Sequence, residues 1–287
     1  MILVVGATGQ LGGLIVHKLL SRGHRVRALV RDRAGAADLA AQGADIAVGD
    51  LTHPDSLLRA CDGVRAVVTT ANSMSRGGDD TIESVDRAGN TNLIQAATLQ
   101  GVDRFVFVSA LGADPHHPMP LLRAKGETES RLRDSDLAWT ILQPDFYMEL
   151  LMMIAVGAPA LAGETVTLIG EGRRRHSLVS MADVAAYAVA VLEREDAAGQ
   201  TLVIGGPEPV SLRDVIVAFE TDLGREVTVR TLPIPLPSEG ATDPIVSLLA
   251  SLETYDSPID MTAIAERYGV APTRMSDFVS GVVASTR

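Results

Sequence analysis

The stretch Val4–Gly13, "VVGATGQLGG", decides how this chain folds. Gly6, Gly9 and Gly12 stand three apart, directly after the apolar run Ile2–Val5 and at the mouth of a helical pattern. A strand that turns tightly into a helix uses each of them. Gly6 lets the chain turn, Gly9 lets a pyrophosphate approach the backbone, and Gly12 lets helix and strand pack closely. The unpaired N–H groups at the helix start then face the phosphates. A purely structural turn is the plainer reading, but the strand–turn–helix setting points to a dinucleotide site.

Outward from that turn, short β-rich runs alternate with helical ones. Ile2–Val5, Val26–Val30, Asp45–Val48, Ala66–Thr69, Arg104–Val108 and Ala138–Leu142 read as buried strands bounded by Gly, Asp or Ser. Leu11, Leu14, Ile15 and Leu19 share one helical face, and further helical segments lie near Ala36–Gln42, Asp55–Cys61, Thr81–Gln100 and Leu121–Arg133. This alternation predicts an α/β fold, a Rossmann-type doubly wound parallel sheet with right-handed crossovers. The rhythm changes after about Asp145. Ser180 with Asp183, and Ser211 with Asp214, have capping-box spacing. "LPIPLP", Leu232–Pro237, reads as an extended connector, and residues 242–283 read as mostly helical. Residues 1–145 are therefore expected to form an NAD(P)-binding Rossmann domain. Residues 146–287 would complete its core and form a smaller C-terminal α/β lobe that binds substrate.

Composition narrows the partners. The 287 residues carry a net charge of −11, which argues against nucleic acid, whose phosphates need Lys and Arg, and against an anionic membrane. Aromatics make up only 3%, so the core must be aliphatic. The single cysteine, Cys61, rules out an intramolecular disulfide and suggests a reducing compartment; within "LLRACDGV" it reads as core. "LLMMIAVGAPALAG", Leu150–Gly163, is shorter than the roughly 18 residues of a membrane span. No secretion signal is evident at the N-terminus. The expectation is a cytoplasmic protein that takes a small apolar or aromatic substrate and no metal; a homodimer is compatible with this reading.

The tip of the second predicted strand, "RALVRDRAG", bears on the choice of dinucleotide. A carboxylate there pairs with the ribose hydroxyls of NAD, whereas an arginine suits the extra phosphate of NADP. Arg31 points to NADP(H). Asp32, between Arg31 and Arg33, keeps NAD(H) in view, and a solvated charge cluster is the bland alternative. Asp50 and Leu51 follow the third strand, where a side chain would flank adenine. Thr70, Ala71 and Asn72 follow the fourth, beside the ribose and nicotinamide.

"GATGQLG", "LVRD", "VGD", "RFVFVSALGAD", "AKGETE", "WTILQPDFYMEL", "SMADVAA" and "GPEPVSLRDV", in this order, resemble the NmrA-like group of atypical short-chain dehydrogenases/reductases. Its NAD(P)H:quinone and triphenylmethane reductases look most similar. The resemblance runs from Met1 to about Leu232. It implies that Gly6, Thr8, Gly9, Gln10 and Leu11 hold the pyrophosphate and Arg31 the 2′-phosphate. Asp50 and Leu51 would meet the adenine, while Thr70, Ala71 and Ser109 would line the inner groove. Lys125 would bond the nicotinamide ribose, with Pro144, Asp145 and Phe146 near the ring. Gln143 stands where the group usually has arginine.

In the best-known enzymes of this broader kind a tyrosine lies four residues before the lysine. In "LLRAKGETE", Leu121–Glu129, that position is Leu121, which has no proton to give. Reduction of a simple ketone needs a positioned acid. A quinone, an enone or a cationic dye yields a delocalised, weakly basic product instead. Lys125 and Tyr147 are the catalytic candidates, Tyr147 as a stand-in acid whose plainer role is packing. His116 and His117 read as a surface pair, Met148, Met152 and Met153 as pocket or core lining, Arg173–Arg175 as a solvated turn and Trp139 as core. The expected function is an NADPH-dependent reductase of quinone-like or other electron-poor acceptors. A non-catalytic NADP(H) sensor and a specialised biosynthetic enzyme are the alternatives.

Overall fold

Uninterrupted runs of Val, Ile and Leu suit parallel strands, which are covered on both faces. The computed structural model describes residues 1–74, 78–234 and 244–286. The chain runs through β1 (Ile2–Val5), α1 (Gln10–Ser21), β2 (Val26–Val30), α2 (Ala37–Ala41), β3 (Asp45–Val48), α3 (Pro54–Cys61) and β4 (Ala66–Thr69). A π-helical segment, Ile82–Gly89, leads into α4 (Asn90–Leu99), followed by β5 (Arg104–Val108), α5 (Pro120–Arg133) and β6 (Ala138–Pro144). A second π-helical segment, Met148–Gly157, leads into α6 (Ala158–Ala162). Then come β7 (Val166–Ile169), α7 (Met181–Leu192), β8 (Gln200–Ile204), α8 (Leu212–Leu223), β9 (Val229–Leu232), α9 (Pro244–Leu252), α10 (Thr262–Tyr268) and α11 (Met275–Ser285).

The main sheet has the order β3-β2-β1-β4-β5-β6-β8, with β1 to β6 parallel. The first five expected strands have the expected bounds, and β6 runs two residues further, to Pro144. Between β1 and β4 the strand order reverses, and open α/β sheets bind ligands at such a switch point. Val5 pairs with Leu29 on one side and Thr69 on the other, so the carboxyl ends there are nearly level. Gly6, Arg31 and Thr70 follow at that edge.

The chain divides into two compact units. The first comprises Met1–Pro144, Val184–Val203 and Tyr268–Val270. Its core joins Leu3, Val5, Val67, Phe105, Phe107 and Ile141 of the sheet to Leu57, Leu93 and Leu132 of the helices. Cys61 is buried here, and burial pushes its thiol up to about 11, an inert packing group. Trp139 is only partly buried against this core, with the Arg133 guanidinium 5.8 Å from its ring centroid.

The second unit comprises Asp145–Asp183, Ile204–Arg267 and Ala271–Arg287. β7 and β9, which sequence pattern did not announce, pair in parallel as a two-stranded sheet. Met148 and Met152 lie in this unit's core with Val156, Leu168, Phe219 and Val279, whereas Leu150 and Ile154 are exposed. The Ser211–Asp214 capping box opens α8 as expected. At α7, Ser180 Oγ accepts the Ala182 N–H, while the Asp183 carboxylate accepts the N–H and hydroxyl of Thr273. The arginine run does more than face solvent. Arg174 bonds Asp256 and the Glu253 carbonyl, and Arg175 reaches Asp214 and the Pro209 carbonyl. Residues 235–237 of the expected connector and residues 242–243 lie outside the described residues. Among those described, no helix is long and apolar enough to cross a membrane.

Candidate active site

The glycine turn is built by close approach. A Cβ on Gly12 would stand 2.0 Å from the Gly6 carbonyl oxygen, and one on Gly6 would stand 2.7 Å from Thr70 Oγ1. Gly6 has φ +83°, the left-handed region that favours glycine. Gly9 caps α1 with no side chain in the way, and the first turn of α1 carries no acidic residue. Thr8, Gly9 and Gln10 are exposed, whereas Leu11 anchors the helix in the core. A pyrophosphate fits this rim: the N–H groups of the first turn of α1, the positive end of the helix dipole and no acidic residue in that turn.

At the β2 tip, the structure gives Arg31 and Asp32 different partners. Asp32 Oδ1 accepts the N–H groups of Ala34 and Gly35, at 2.8 and 3.2 Å, and so shapes its own turn. Arg31 is half exposed, with Nη1 3.3 Å from Asp80 Oδ2. Asp50 Oδ1 accepts both the N–H and the hydroxyl of Thr52. Leu51 is buried in the first unit's core, with a Cβ on Gly89 meeting it at 2.8 Å. Thr70 Oγ1 faces the Val5 carbonyl, and Asn72 Oδ1 accepts the Met74 N–H.

On α5, Leu121 and Lys125 are one turn apart. Lys125 is buried; its Nζ donates to the Val108 carbonyl at 3.1 Å and lies 5.2 Å from the Phe107 ring centroid. Burial pulls its ammonium below the usual lysine range, and the charges of Asp86 and Glu129 oppose that fall. Glu129, also buried, gathers the neighbourhood. It accepts from Ser109 Oγ at 2.5 Å, from Gln143 Nε2 at 2.9 and 3.1 Å, and from Arg133 at 2.8 Å. Gln143 thus reaches both carboxylate oxygens, as an arginine would, but without a charge. Ser109 has one hydroxyl hydrogen and gives it to Glu129, so towards a ligand it acts as an acceptor.

Asp86 and Glu129 were not foreseen. Asp86 is buried, takes the Ser73 N–H on Oδ2, and leaves Oδ1 with no hydrogen bond among the described residues. A carboxylate one turn after a lysine on a mostly polar helix looks like a surface pair, so sequence gave little signal for it.

Pro144 closes β6 in the first unit, and its carbonyl accepts the Leu111 N–H. Asp145, Phe146 and Tyr147 open the second unit. Tyr147 precedes the π-helical segment Met148–Gly157 and bridges to Val179 through its backbone. Burial, with the Glu149 charge, pushes its hydroxyl far above the ordinary tyrosine range, so it stays protonated. His116 is exposed and His117 half-buried in a loop that its own groups organise, His117 Nδ1 accepting the Met119 N–H. No group of three potential metal ligands occurs among the described residues.

The chain belongs to the NAD(P)H-binding family, which matches residues 6–195, a stretch that includes the glycine cradle and the buried lysine. It is similar to an NAD(P)H azoreductase of Xenophilus azovorans, 33% identical over 283 residues that cover 99% of this chain and 90% of that protein. It is also similar to photosystem II assembly factor Ycf39 of Cyanophora paradoxa, 34% identical over 235 residues, 81% of this chain and 72% of that one. Among solved structures, an NADPH-dependent quinone oxidoreductase of Escherichia coli complexed with NADPH superposes with a TM-score of 0.82 at 26% identity, covering 98% and 99% of the two chains.

Proposed function

We propose that this protein is an NADPH-dependent reductase that transfers hydride to a quinone-like or other electron-poor conjugated acceptor without a tyrosine acid. The cofactor is NADP(H), supported by Arg31 at the β2 tip and by Asp32 being turned into its own loop. One observation carries the choice of acceptor. Around buried Lys125 the two usual hydroxyl donors are missing: Leu121 has none, and Ser109 spends its hydrogen on Glu129. Among the described residues neither of these positions is left to donate to a localised alkoxide, so an acceptor that spreads its charge is the one this site suits.

The bound nicotinamide supplies the hydride. The chain's own residues do the rest. Gly6 to Leu11 cradle the pyrophosphate, Arg31 meets the 2′-phosphate, and Lys125, fixed by the Val108 carbonyl, faces the ribose. Holding donor and acceptor together provides most of the acceleration. The azoreductase and the quinone oxidoreductase, each matching nearly the whole chain, support an oxidoreductase.

NADPH oxidation by purified protein with quinones, azo dyes and triphenylmethane dyes, run beside NADH, tests this reading. Turnover that prefers NADPH supports it. Tight NADPH binding without turnover on any acceptor would instead support a non-catalytic NADP(H) sensor, the reading that Leu121 and the likeness to an assembly factor favour.

A further inference from the structure

The first unit buries three charged side chains around its lysine. Asp86, Lys125 and Glu129 are 1, 8 and 1% exposed. A charge taken out of water is costly unless an opposite charge answers it. Glu129 has its answer in Arg133, whose Nη2 stands 2.8 Å away one turn along α5, and Ser109 and Gln143 also donate to it. That pairing leaves Lys125 and Asp86. Arg87, on the same π-helical segment as Asp86, pairs with Glu83 and Glu127 instead. From β5, Lys125 meets the Val108 carbonyl and the Phe107 ring, neither of them charged.

Asp86 is fixed at three points. Its Oδ2 accepts the Ser73 N–H at 3.0 Å, and its carbonyl accepts from Asn90 Nδ2 at 2.9 Å and from Thr128 Oγ1 of α5 at 3.3 Å. Oδ1 accepts nothing among the described residues. The π-helical turn that carries Asp86 is a geometry that recurs at functional sites. Lys125 and Asp86 do not touch. Among the described residues, Lys125 Nζ gives one hydrogen bond, to the Val108 carbonyl. A contact ion pair would spend further ammonium hydrogens on the carboxylate. Held apart, Asp86 balances the lysine's charge and leaves two of its three hydrogens for a ligand. Coulomb attraction reaches beyond hydrogen-bond distance in an interior that screens it poorly. The balance at Lys125 agrees: burial pulls its ammonium below the usual lysine range, and the charge of Asp86, ahead of that of Glu129, opposes the fall.

We propose that Asp86 is a positioning residue of the dinucleotide site, the remote counter-charge that keeps Lys125 an ammonium with hydrogens left for the ribose hydroxyls. This rests on the reading that Lys125 meets the dinucleotide. Asp86 acts through Lys125 and touches no ligand itself. Through Ser73, which follows Asn72, the same carboxylate ties down the loop expected beside the ribose and nicotinamide.

Two measurements on the full chain test this. The chain has only two lysines, Lys18 and Lys125, so NMR of protein labelled with ¹³Cε-lysine follows each one. Without cofactor, Lys125 should give the signal of an ammonium at neutral pH. Titrated upward, Asp86→Asn should lose that proton about one pH unit or more below wild type, with Lys18 unmoved. Asparagine keeps an acceptor for the Ser73 N–H, so a merely structural role would leave the midpoint in place. NADPH fluorescence titration over the same range should show affinity falling roughly tenfold as Lys125 loses its charge, at a correspondingly lower pH in the variant. A wild-type Lys125 already deprotonated at neutral pH overturns the counter-charge, and this result needs no variant should Asp86→Asn fail to fold. An unmoved midpoint in the variant overturns it too and hands the role to Glu129. A midpoint that falls while NADPH affinity stays the same at every pH supports the counter-charge and overturns the reading that Lys125 meets the dinucleotide.

Discussion

At Gly12 an added Cβ would meet the Gly6 carbonyl oxygen, backbone against backbone, so neither partner can rotate away. Gly12→Ala should cost roughly 1–3 kcal/mol of stability, as overpacking does, and should open the turn that faces the phosphates. Urea unfolding and NADPH fluorescence titration would read both effects; unchanged NADPH affinity would mean that the turn is not the cradle. Arg31 makes the opposite kind of contribution, specific to one ligand group. A charged hydrogen bond is worth about 1.5–3 kcal/mol, so Arg31→Gln should weaken NADPH binding by roughly ten- to a hundredfold and leave NADH nearly untouched. Equal losses for the two dinucleotides would move the 2′-phosphate elsewhere.

Along α5 the effects of single residues become those of an element. Glu129 ties that helix to β5 through Ser109 and to β6 through Gln143, and it is one of two carboxylates whose charge acts on Lys125. Glu129→Ala would leave Ser109 and Gln143 short of an acceptor and Lys125 short of a counter-charge. The expected loss is about 3–5 kcal/mol, that of breaking a buried ionic cluster from one side, seen as a lower urea midpoint. A midpoint unchanged from wild type would show that α5 is held by its apolar contacts alone. The same elements show what sequence could reveal. β1 to β5 were legible to the residue because apolar runs between Gly, Asp and Ser carry a local signal. The glycine turn was legible for the same reason. The π-helical geometry of Ile82–Gly89 and Met148–Gly157 was not, since a wider turn keeps a helical composition. Nor were the hydrogen bonds of Ser257 with Asp145 and His176, which lie 112 and 81 residues from it and meet it only through tertiary packing.

Over the whole molecule, buried ionisable groups set how stability follows pH. Asp145 and Glu149 are both held above the ordinary carboxylate range, chiefly by burial. The folded state therefore binds their protons more tightly than the unfolded chain does. Their contribution is complete below the ordinary values of 3.8 and 4.5 and is lost as pH rises through the folded values. Lys125 acts at the other end. Its lowered pKa means that the unfolded chain binds the extra proton, so stability recovers as pH climbs towards the ordinary 10.5. Asp256 opposes the first trend, because the Arg175 N–H and Arg174 hold it low, but it is exposed and screened. Glu149 is the group to isolate. Its carboxylate accepts the Met181 N–H at the start of α7, and glutamine would keep an acceptor there without a charge to bury. Glu149→Gln should therefore lose less stability than wild type as pH rises above the ordinary 4.5, measured by urea unfolding at intervals of pH. The part of the slope that survives in the variant is the balance of Asp145, which is held high, against carboxylates held low such as Asp256. Parallel curves for the two proteins would show instead that Glu149 ionises in the fold as easily as in the unfolded chain, with the Met181 and Ser180 bonds offsetting its burial.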